Sequence, residues 1–289
     1  NNLPADYYQK YLTNLAAVDA AKVQNAAKLF LNTNQMHIVI VGNAKQITKG
    51  LEKYGPLKYF DIEGNEIAAP TEVKADASLT PAALMEKAIA AIGTKEALDN
   101  VKDVQLKGTA NLMGQSLEMK QTIVMPGNSV TTMSMGGMAM MRQAVVDGKY
   151  SVAQQGQEAP ITDDLKEGLD ESATLVPEEL FLTKGYGLKI VGAEKVDGKD
   201  AIDVEVTTPS KKVSHRFYDA TTFLLVKTSK SEEVPGQGTM TQQQYYTGYK
   251  VVNGVQIASE QLIDMGQMKI NIKYTDIKMN QGLKSSDLK

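Results

Sequence analysis

From Val101 onward, apolar residues alternate with polar ones in one short segment after another along this 289-residue chain. In the segment SLEMKQTIVM, the apolar positions include Leu117, Met119 and Ile123, and most of the residues between them are polar. A period of two sends alternate side chains to opposite faces of a β-strand. The pattern therefore predicts strands that each have one apolar face and one solvated face.

Turn signals separate these segments. The pairs Asp147-Gly148, Asp197-Gly198 and Asn253-Gly254 favour two-residue hairpin turns. With the alternation, they predict a meander of roughly eleven strands. A sheet of that size curls, and its single apolar face needs a cover. Helical patterns after Thr80 and at 160–186 provide one, so we expect an α+β chain dominated by a large antiparallel curved sheet, an incomplete β-barrel covered by helices.

The first sixty residues have a different organisation, with the predicted order helix, helix, strand, helix, strand. Tyr8, Leu12 and Leu15 lie on one face of a first helix, and Asp19 is an N-cap signal for the second. QMHIVIVG, residues 35–42, predicts a buried strand, AKQITKGLEKYG a short helix, and LKYFDI a last strand. Two strands are too few for an independent sheet, so we expect the end of a larger domain in a fragment of a longer protein.

A stretch of small, charged and proline residues without periodicity, AAPTEVKADAS, indicates a linker. We therefore predict a first segment at 1–67, a linker at 68–79 and a second domain at 80–289.

Composition excludes several classes of function. The net charge of −3 is spread along the chain without a basic stripe, which argues against nucleic-acid binding. No apolar run approaches the roughly 18 residues of a membrane span. There is no cysteine, and His37 and His215 are the only histidines, far apart and without a His-x-x-Glu-His string. We predict no catalytic and no metal-binding residue, and we interpret Asp163-Asp164 and Glu178-Glu179 as acids placed at helix N-termini.

The string from Ala17 to Gly42, AVDAAKVQNAAKLFL followed by MHIVIVG, resembles the closing segment of a domain of the insulinase or pitrilysin family of zinc peptidases. The resemblance implies that 1–67 is the tail of such a domain. The zinc site would then belong to the parent peptidase domain and not to this chain, and that domain would be a partner.

Residues 80–289 resemble the periplasmic lipoprotein carriers of Gram-negative bacteria and their outer-membrane receptor. The resemblance rests on an opening helix, a long meander, the text AVVDGKYSVAQQGQEAPI and the helical interruption after it. It implies a half-barrel with helices over an apolar cavity, a periplasmic location that includes outer-membrane association, and a lipid or lipoprotein acyl chain as ligand. The arginine with which the carriers grip the lipoprotein cannot be assigned to Arg142 or Arg216.

Methionine is concentrated in the meander: eight of the fourteen lie between 113 and 141, five of them in MSMGGMAMM. Unbranched thioethers fill irregular core gaps and also suit adaptable apolar binding surfaces, so a methionine-packed core and a ligand cavity both remain open. If a cavity exists, we expect it to be lined by Leu112, Leu117, Met119, Ile123, Met125, Met133, Met135, Val204, Val206 and Phe223.

The leading functional hypothesis is a non-catalytic part of an envelope protein, whose half-barrel binds an acyl chain or another apolar ligand or positions the peptidase at the outer membrane. The alternative is an interaction module that docks on the peptidase domain or on a sister subunit. Peptidase activity in the chain itself ranks last because the zinc motif is missing.

Overall fold

The structure, a computed structural model, describes residues 4–31, 37–42, 44–60, 64–67, 69, 78–112, 114–234, 238–266 and 268–289. The chain forms two compact units, Asn1–Pro70 and Thr71–Lys289. Most of the predicted linker at 68–79 lies outside the described residues.

The first unit contains three α-helices and a short strand pair: α1 Tyr7–Ala16, α2 Ala20–Phe30, α3 Ala44–Leu51, β1 Tyr59–Phe60 and β2 Glu66–Ile67. The predicted N-cap of α2 is confirmed, because the Asp19 carboxylate accepts a hydrogen bond from the backbone N–H of Lys22 at 2.8 Å. A 3₁₀ turn, Glu52–Tyr54, extends α3.

The predicted strand at 35–42 is wrong over its described residues. His37–Gly42 has no strand conformation, and the side chains of Ile38, Val39 and Val41 are exposed. A strand needs a hydrogen-bonding neighbour and an apolar side chain needs cover. Among the described residues of this unit the sheet is limited to the pairing of β1 with β2. Of the strand predicted from LKYFDI, residues 57–62, only Tyr59–Phe60 is a strand within 57–60, and 61–62 lie outside the described residues.

The second unit is built on one antiparallel sheet of thirteen strands, which confirms the predicted open curved sheet with two strands more than expected. The strands are β3 Asp103–Leu112, β4 Gln115–Val124, β5 Asn128–Met135, β6 Met138–Val146, β7 Lys149–Gln154, β8 Gln157–Glu158, β9 Gly187–Val196, β10 Lys199–Thr207, β11 Val213–Asp219, β12 Leu225–Val234, β13 Gly238–Val252, β14 Val255–Asp264 and β15 Lys269–Met279.

Neighbours in the sheet are neighbours along the chain, with one exception. The order is β8-β7-β6-β5-β4-β3-β15-β14-β13-β12-β11-β10-β9, so the first and last strands of the unit pair in the middle. The three predicted hairpin turns are confirmed, since Asp147-Gly148, Asp197-Gly198 and Asn253-Gly254 all have positive φ and join consecutive strands. The sheet therefore consists of two local meanders that meet at β3 and β15.

Four helices pack on one face of this sheet, which we call the inner face: α4 Pro81–Ile92, α5 Lys95–Asp99, α6 Asp163–Ser172 and α7 Pro177–Thr183. The Thr80 hydroxyl caps α4 by accepting from the N–H of Ala83 at 3.2 Å. Leu84 and Met85 of α4 are fully buried in the cluster that holds Val204. Both predicted covers of the apolar face are therefore present.

The carboxylate of Asp103, at the start of β3, binds the segment that follows β15 through hydrogen bonds. Asp103 is completely buried, and its two oxygens accept from the backbone N–H groups of Gln281, Gly282 and Leu283 at 2.8 to 3.1 Å. Such bonds satisfy a buried charge that would otherwise be costly. Asp103 thus stabilises the central pairing of β3 with β15.

Candidate ligand-binding site

The apolar side chains of the inner face form two main clusters. The first is centred on β3, β4, β14 and β15, and the second joins α4 and α7 to β10 and β11. Each cluster contains fully buried members such as Val104 in the first and Tyr218 in the second. The inner face is thus a packed core over much of its area.

The ten predicted lining residues divide between these clusters. Three are buried in the first cluster: Leu117, Met119 and Ile123. Four are half-buried and pack against it: Leu112, Met125, Met133 and Met135. The remaining three belong to the second, where Val204 and Val206 are buried and Phe223 is half-buried against them. The structure brings seven together and places three apart, so a common lining stays a prediction.

One part of the inner face keeps apolar side chains accessible. Leu112, Met133, Met135, Ile263 and Met265, the methionine patch, are only partly buried although they pack against the first cluster. Met133 lies opposite the buried Met119, and Ile263 lies opposite Ile270. The methionines therefore differ in burial: Met119 belongs to the core, whereas Met133 and Met135 are partly exposed.

A second opening, the helix cleft, lies beside α5, α6 and α7 and has a volume of about 890 Å³, within the range of small-molecule sites. Its apolar wall includes Leu98, Val101, Met125, Leu180 and Tyr186. Its charged side chains are Asp99, Glu167, Asp170, Glu179, Lys102 and Lys184. Carboxylates outnumber ammonium groups there, which makes the cleft acidic.

A buried polar group, the arginine cluster, lies between the sheet and helices α6 and α7. It consists of Arg216, Glu171, Glu178 and Tyr218. Arg216 donates from Nη2 to Glu171 Oε2 at 2.5 Å, and its guanidinium carbon lies 4.5 Å from the centre of the Phe181 ring. Burial opposes the charge of Arg216, but the Glu171 carboxylate keeps the pKa of Arg216 above its usual range.

Glu178 and Tyr218 form the other half of the arginine cluster. Tyr218 donates from its hydroxyl to Glu178 Oε1 at 2.9 Å. Burial, followed by the nearby Glu178 carboxylate, raises the pKa of Tyr218 well above its usual value, so this hydroxyl remains a donor. The second carboxylate oxygen, Glu178 Oε2, is buried and has no hydrogen-bond partner among the described residues.

The sequence did not predict that Arg216 and Glu178 meet in the arginine cluster. The interpretation of Glu178 as an acid at a helix N-terminus is confirmed, since it lies in the first turn of α7, but its burial was not predicted: only 2% of it is exposed. Arg216 had one usable signal: it shares strand parity with Tyr218 in VSHRFYD, so alternation sends both to the same face. Nothing in the sequence pairs these two residues with α7.

The described residues contain neither a metal-binding cluster nor a membrane-spanning helix. Three or more His, Cys, Asp or Glu side chains do not come together there in a metal-binding arrangement. None of the described helices is both long and apolar enough to cross a membrane.

Comparison with known proteins identifies the fold. No protein-family model and no curated protein matches the chain. A DUF1329 family protein from Desulfovibrio piger superposes with a TM-score of 0.52 over 73% of this chain and 98% of its own, at 12% identity. A putative outer membrane lipoprotein-sorting protein domain from Vibrio parahaemolyticus gives 0.51 over 71% and 95%, also at 12% identity.

A LolA superfamily protein from Nitrosomonas europaea gives a TM-score of 0.50 at 12% identity and covers 73% of this chain and 98% of its own. Nothing in these comparisons supports the resemblance of the first segment to the insulinase family, which stays a prediction. The thirteen-stranded sheet with its covering helices has the LolA-like fold.

Proposed function

We propose that this protein binds an apolar ligand, the acyl chain of a lipid or a lipoprotein, on the inner face of its sheet. The observation that carries the proposal is the methionine patch, where Met133, Met135 and Ile263 remain accessible although they belong to the inner face. Each methylene group moved from water onto such a surface gains roughly 0.8 kcal/mol. Flexible thioethers adapt to chains of different length and shape.

The fold supports the same ligand class and a location. Two structures with this fold carry names that refer to lipoprotein sorting or to the LolA superfamily. We propose a location in the periplasm, associated with the outer membrane, and a role as a carrier or sensor of acyl chains, and these names support that proposal. If the first segment belongs to a peptidase, zinc would be held by that parent domain.

The test begins with solvent extraction of the purified protein and mass spectrometry of what is released, together with titration of a fluorescent fatty acid. We expect saturable binding that unlabelled fatty acid displaces. The double variant Met133→Gln with Met135→Gln should weaken binding about tenfold, since two accessible thioethers become amides. Met138→Gln is the matched control, because Met138 is the first residue of β6, next to the β5–β6 turn, and is 69% exposed. Equal binding by the double variant and the control would overturn the methionine patch as the site.

A second candidate function is protein docking through the first unit. Helices α1 and α2 bury no residue, and Ile38, Val39 and Val41 are exposed. Exposed apolar groups of this kind mark interaction sites. If they hold a sister subunit, light scattering at increasing concentration will show a dimer that Val39→Lys with Val41→Lys converts to a monomer. A wild-type chain that stays monomeric would remove this candidate in its self-associating form.

A further inference from the structure

The arginine cluster is short of one positive charge. Its single guanidinium, Arg216, contacts Glu171 directly, whereas Glu178 has only the neutral hydroxyl of Tyr218. Arg216 also acts on Glu178 through space, so one cation serves two carboxylates. Buried carboxylates are normally paired, and an unpaired one carries a large desolvation cost.

The unpaired hydrogen-bond acceptor of the arginine cluster is a single oxygen atom of Glu178. Glu178 Oε1 is engaged by Tyr218, and Oε2 is buried without a hydrogen-bond donor among the described residues. The residue is 2% exposed, so bulk water does not solvate that oxygen. A carboxylate oxygen with both lone pairs free is complementary to a group that donates hydrogen bonds and is positively charged.

The helix cleft is also rich in negative charge, which is an independent observation in favour of a cationic ligand. It contains four carboxylates and two lysines, so the potential inside it attracts cations. Leu180 and Tyr186 line the cleft and also pack against the cluster that holds Phe181 and Tyr218. The Tyr186 ring contacts the Phe181 ring in a tilted arrangement, with centroids 4.9 Å and planes 53° apart. Leu180 and Tyr186 therefore border both the helix cleft and the cluster that holds Tyr218, the hydrogen-bond partner of Glu178.

We propose that Glu178 is the recognition residue for a primary ammonium group carried on an apolar body, such as an amine-bearing lipid or amphiphile. The ammonium group donates to Glu178 Oε2, and the apolar body lies along Leu98, Val101 and Met125 of the helix cleft. A fatty acid would instead bring a third anion to two carboxylates and one arginine. The inference rests on the proposed apolar-ligand function, places a ligand in the helix cleft in addition to the methionine patch, and adds the class of polar head that the cleft selects.

The experiment compares three probes with the same ten-carbon chain: decylamine, decanol and decanoate. Calorimetric titration below their aggregation concentrations gives Kd for the full chain. We expect the wild-type chain to bind decylamine about tenfold more tightly than decanol, with decanoate the weakest, as a charge-assisted hydrogen bond predicts. In Glu178→Gln the amide offers donors in place of the free oxygen, and decylamine should lose its advantage while decanol binding is kept.

Two further variants make the result specific. Glu96→Gln removes an exposed carboxylate from α5 that does not line the cleft, and it should preserve the preference for decylamine. Tyr218→Phe removes only the donor to Oε1, leaves the carboxylate in place and should keep or increase that preference. Loss of the preference in Tyr218→Phe would overturn the assignment.

The outcomes separate the two proposals. If the wild-type chain binds all three probes equally, or if Glu178→Gln retains the preference, the ammonium site is wrong and the apolar-ligand function stands. If no probe binds and no fatty acid is taken up, both proposals fail. If the wild-type chain and the Glu96→Gln and Tyr218→Phe variants prefer decylamine over decanol, and Glu178→Gln loses that preference while it keeps decanol binding, the head-group assignment is supported.

Discussion

His215 is held on the outer face of the sheet by a carboxylate on the neighbouring strand. Its Nδ1 lies 2.8 Å from Asp203 Oδ1, and this hydrogen bond raises the pKa of His215, while partial burial acts in the opposite direction. Glu205 and Glu194 act on the imidazole in the same sense as Asp203. The charged form of His215 is therefore favoured in the folded protein.

This contact makes stability depend on pH. The folded-state pKa is above the unfolded value of about 6.5, so the contribution is complete below that pH and is lost as pH rises through the folded-state pKa. Relative to His215→Gln, the wild-type chain should be more stable at pH 5, and the difference, at most about 1 kcal/mol because the imidazole is partly exposed, should shrink by pH 9. Unfolding midpoints measured between these limits test it. A difference that grows with pH would contradict the assignment.

For single residues, the alternation of apolar and polar positions predicted that most of the proposed lining residues face the inner side of the sheet. It did not show which of them are buried in the core and which are partly exposed. Met119 and Met133 lie opposite each other and differ in exposure because one is covered and the other is not. Coverage depends on where distant helices pack. Glu178 shows the same limit, because an acid in the first turn of a helix has the same local sequence whether it faces solvent or the sheet.

Among the elements, hairpins were predictable and their assembly was not. Asp-Gly and Asn-Gly pairs fix a turn through local backbone preferences, which short-range sequence contains. The pairing of β3 with β15 joins residues such as Leu106 and Ile277 and leaves no local signal. The failed strand at 37–42 had the right composition and no neighbour among the described residues to pair with. Strand propensity alone does not create a sheet.

The β3–β15 contact depends on Gly108. A Cβ at this position would lie 1.9 Å from the carbonyl oxygen of Lys273, a backbone atom that cannot move aside cheaply. We expect Gly108→Ala to destabilise the protein by about 1–3 kcal/mol, as overpacking does. Gly168→Ala in α6 is the control, because no atom lies within 4 Å of the added Cβ, and it should be neutral or stabilising by up to about 1 kcal/mol. Denaturant unfolding measures the free energy of unfolding of both variants. Equal values for Gly108→Ala and Gly168→Ala would contradict the close approach of Gly108 to the Lys273 carbonyl.

For the whole molecule, the two units differ in how much core they contain. All five clusters of buried apolar residues belong to Thr71–Lys289 among the described residues, and α1 and α2 bury nothing. Cooperative unfolding requires a buried core.

A fragment of residues 71–289 should therefore retain the main calorimetric transition and the fluorescent fatty-acid binding of the full chain, while 1–70 alone should show no cooperative transition. The full chain supplies the reference trace. Loss of the transition in the larger fragment would mean that the first unit contributes core to the second.

The pairing of β3 with β15 also determines the order in which the sheet can form during synthesis. Each half of the sheet can form by successive pairings of neighbouring strands as the chain is synthesised, but β3 and β15 can pair only after β15 has been made. Until then β3 has an unpaired edge, and the Asp103 carboxylate lacks the backbone N–H donors of Gln281, Gly282 and Leu283. The unit is therefore vulnerable to mispairing until β15 is made and covers the unpaired edges of both β3 and β14.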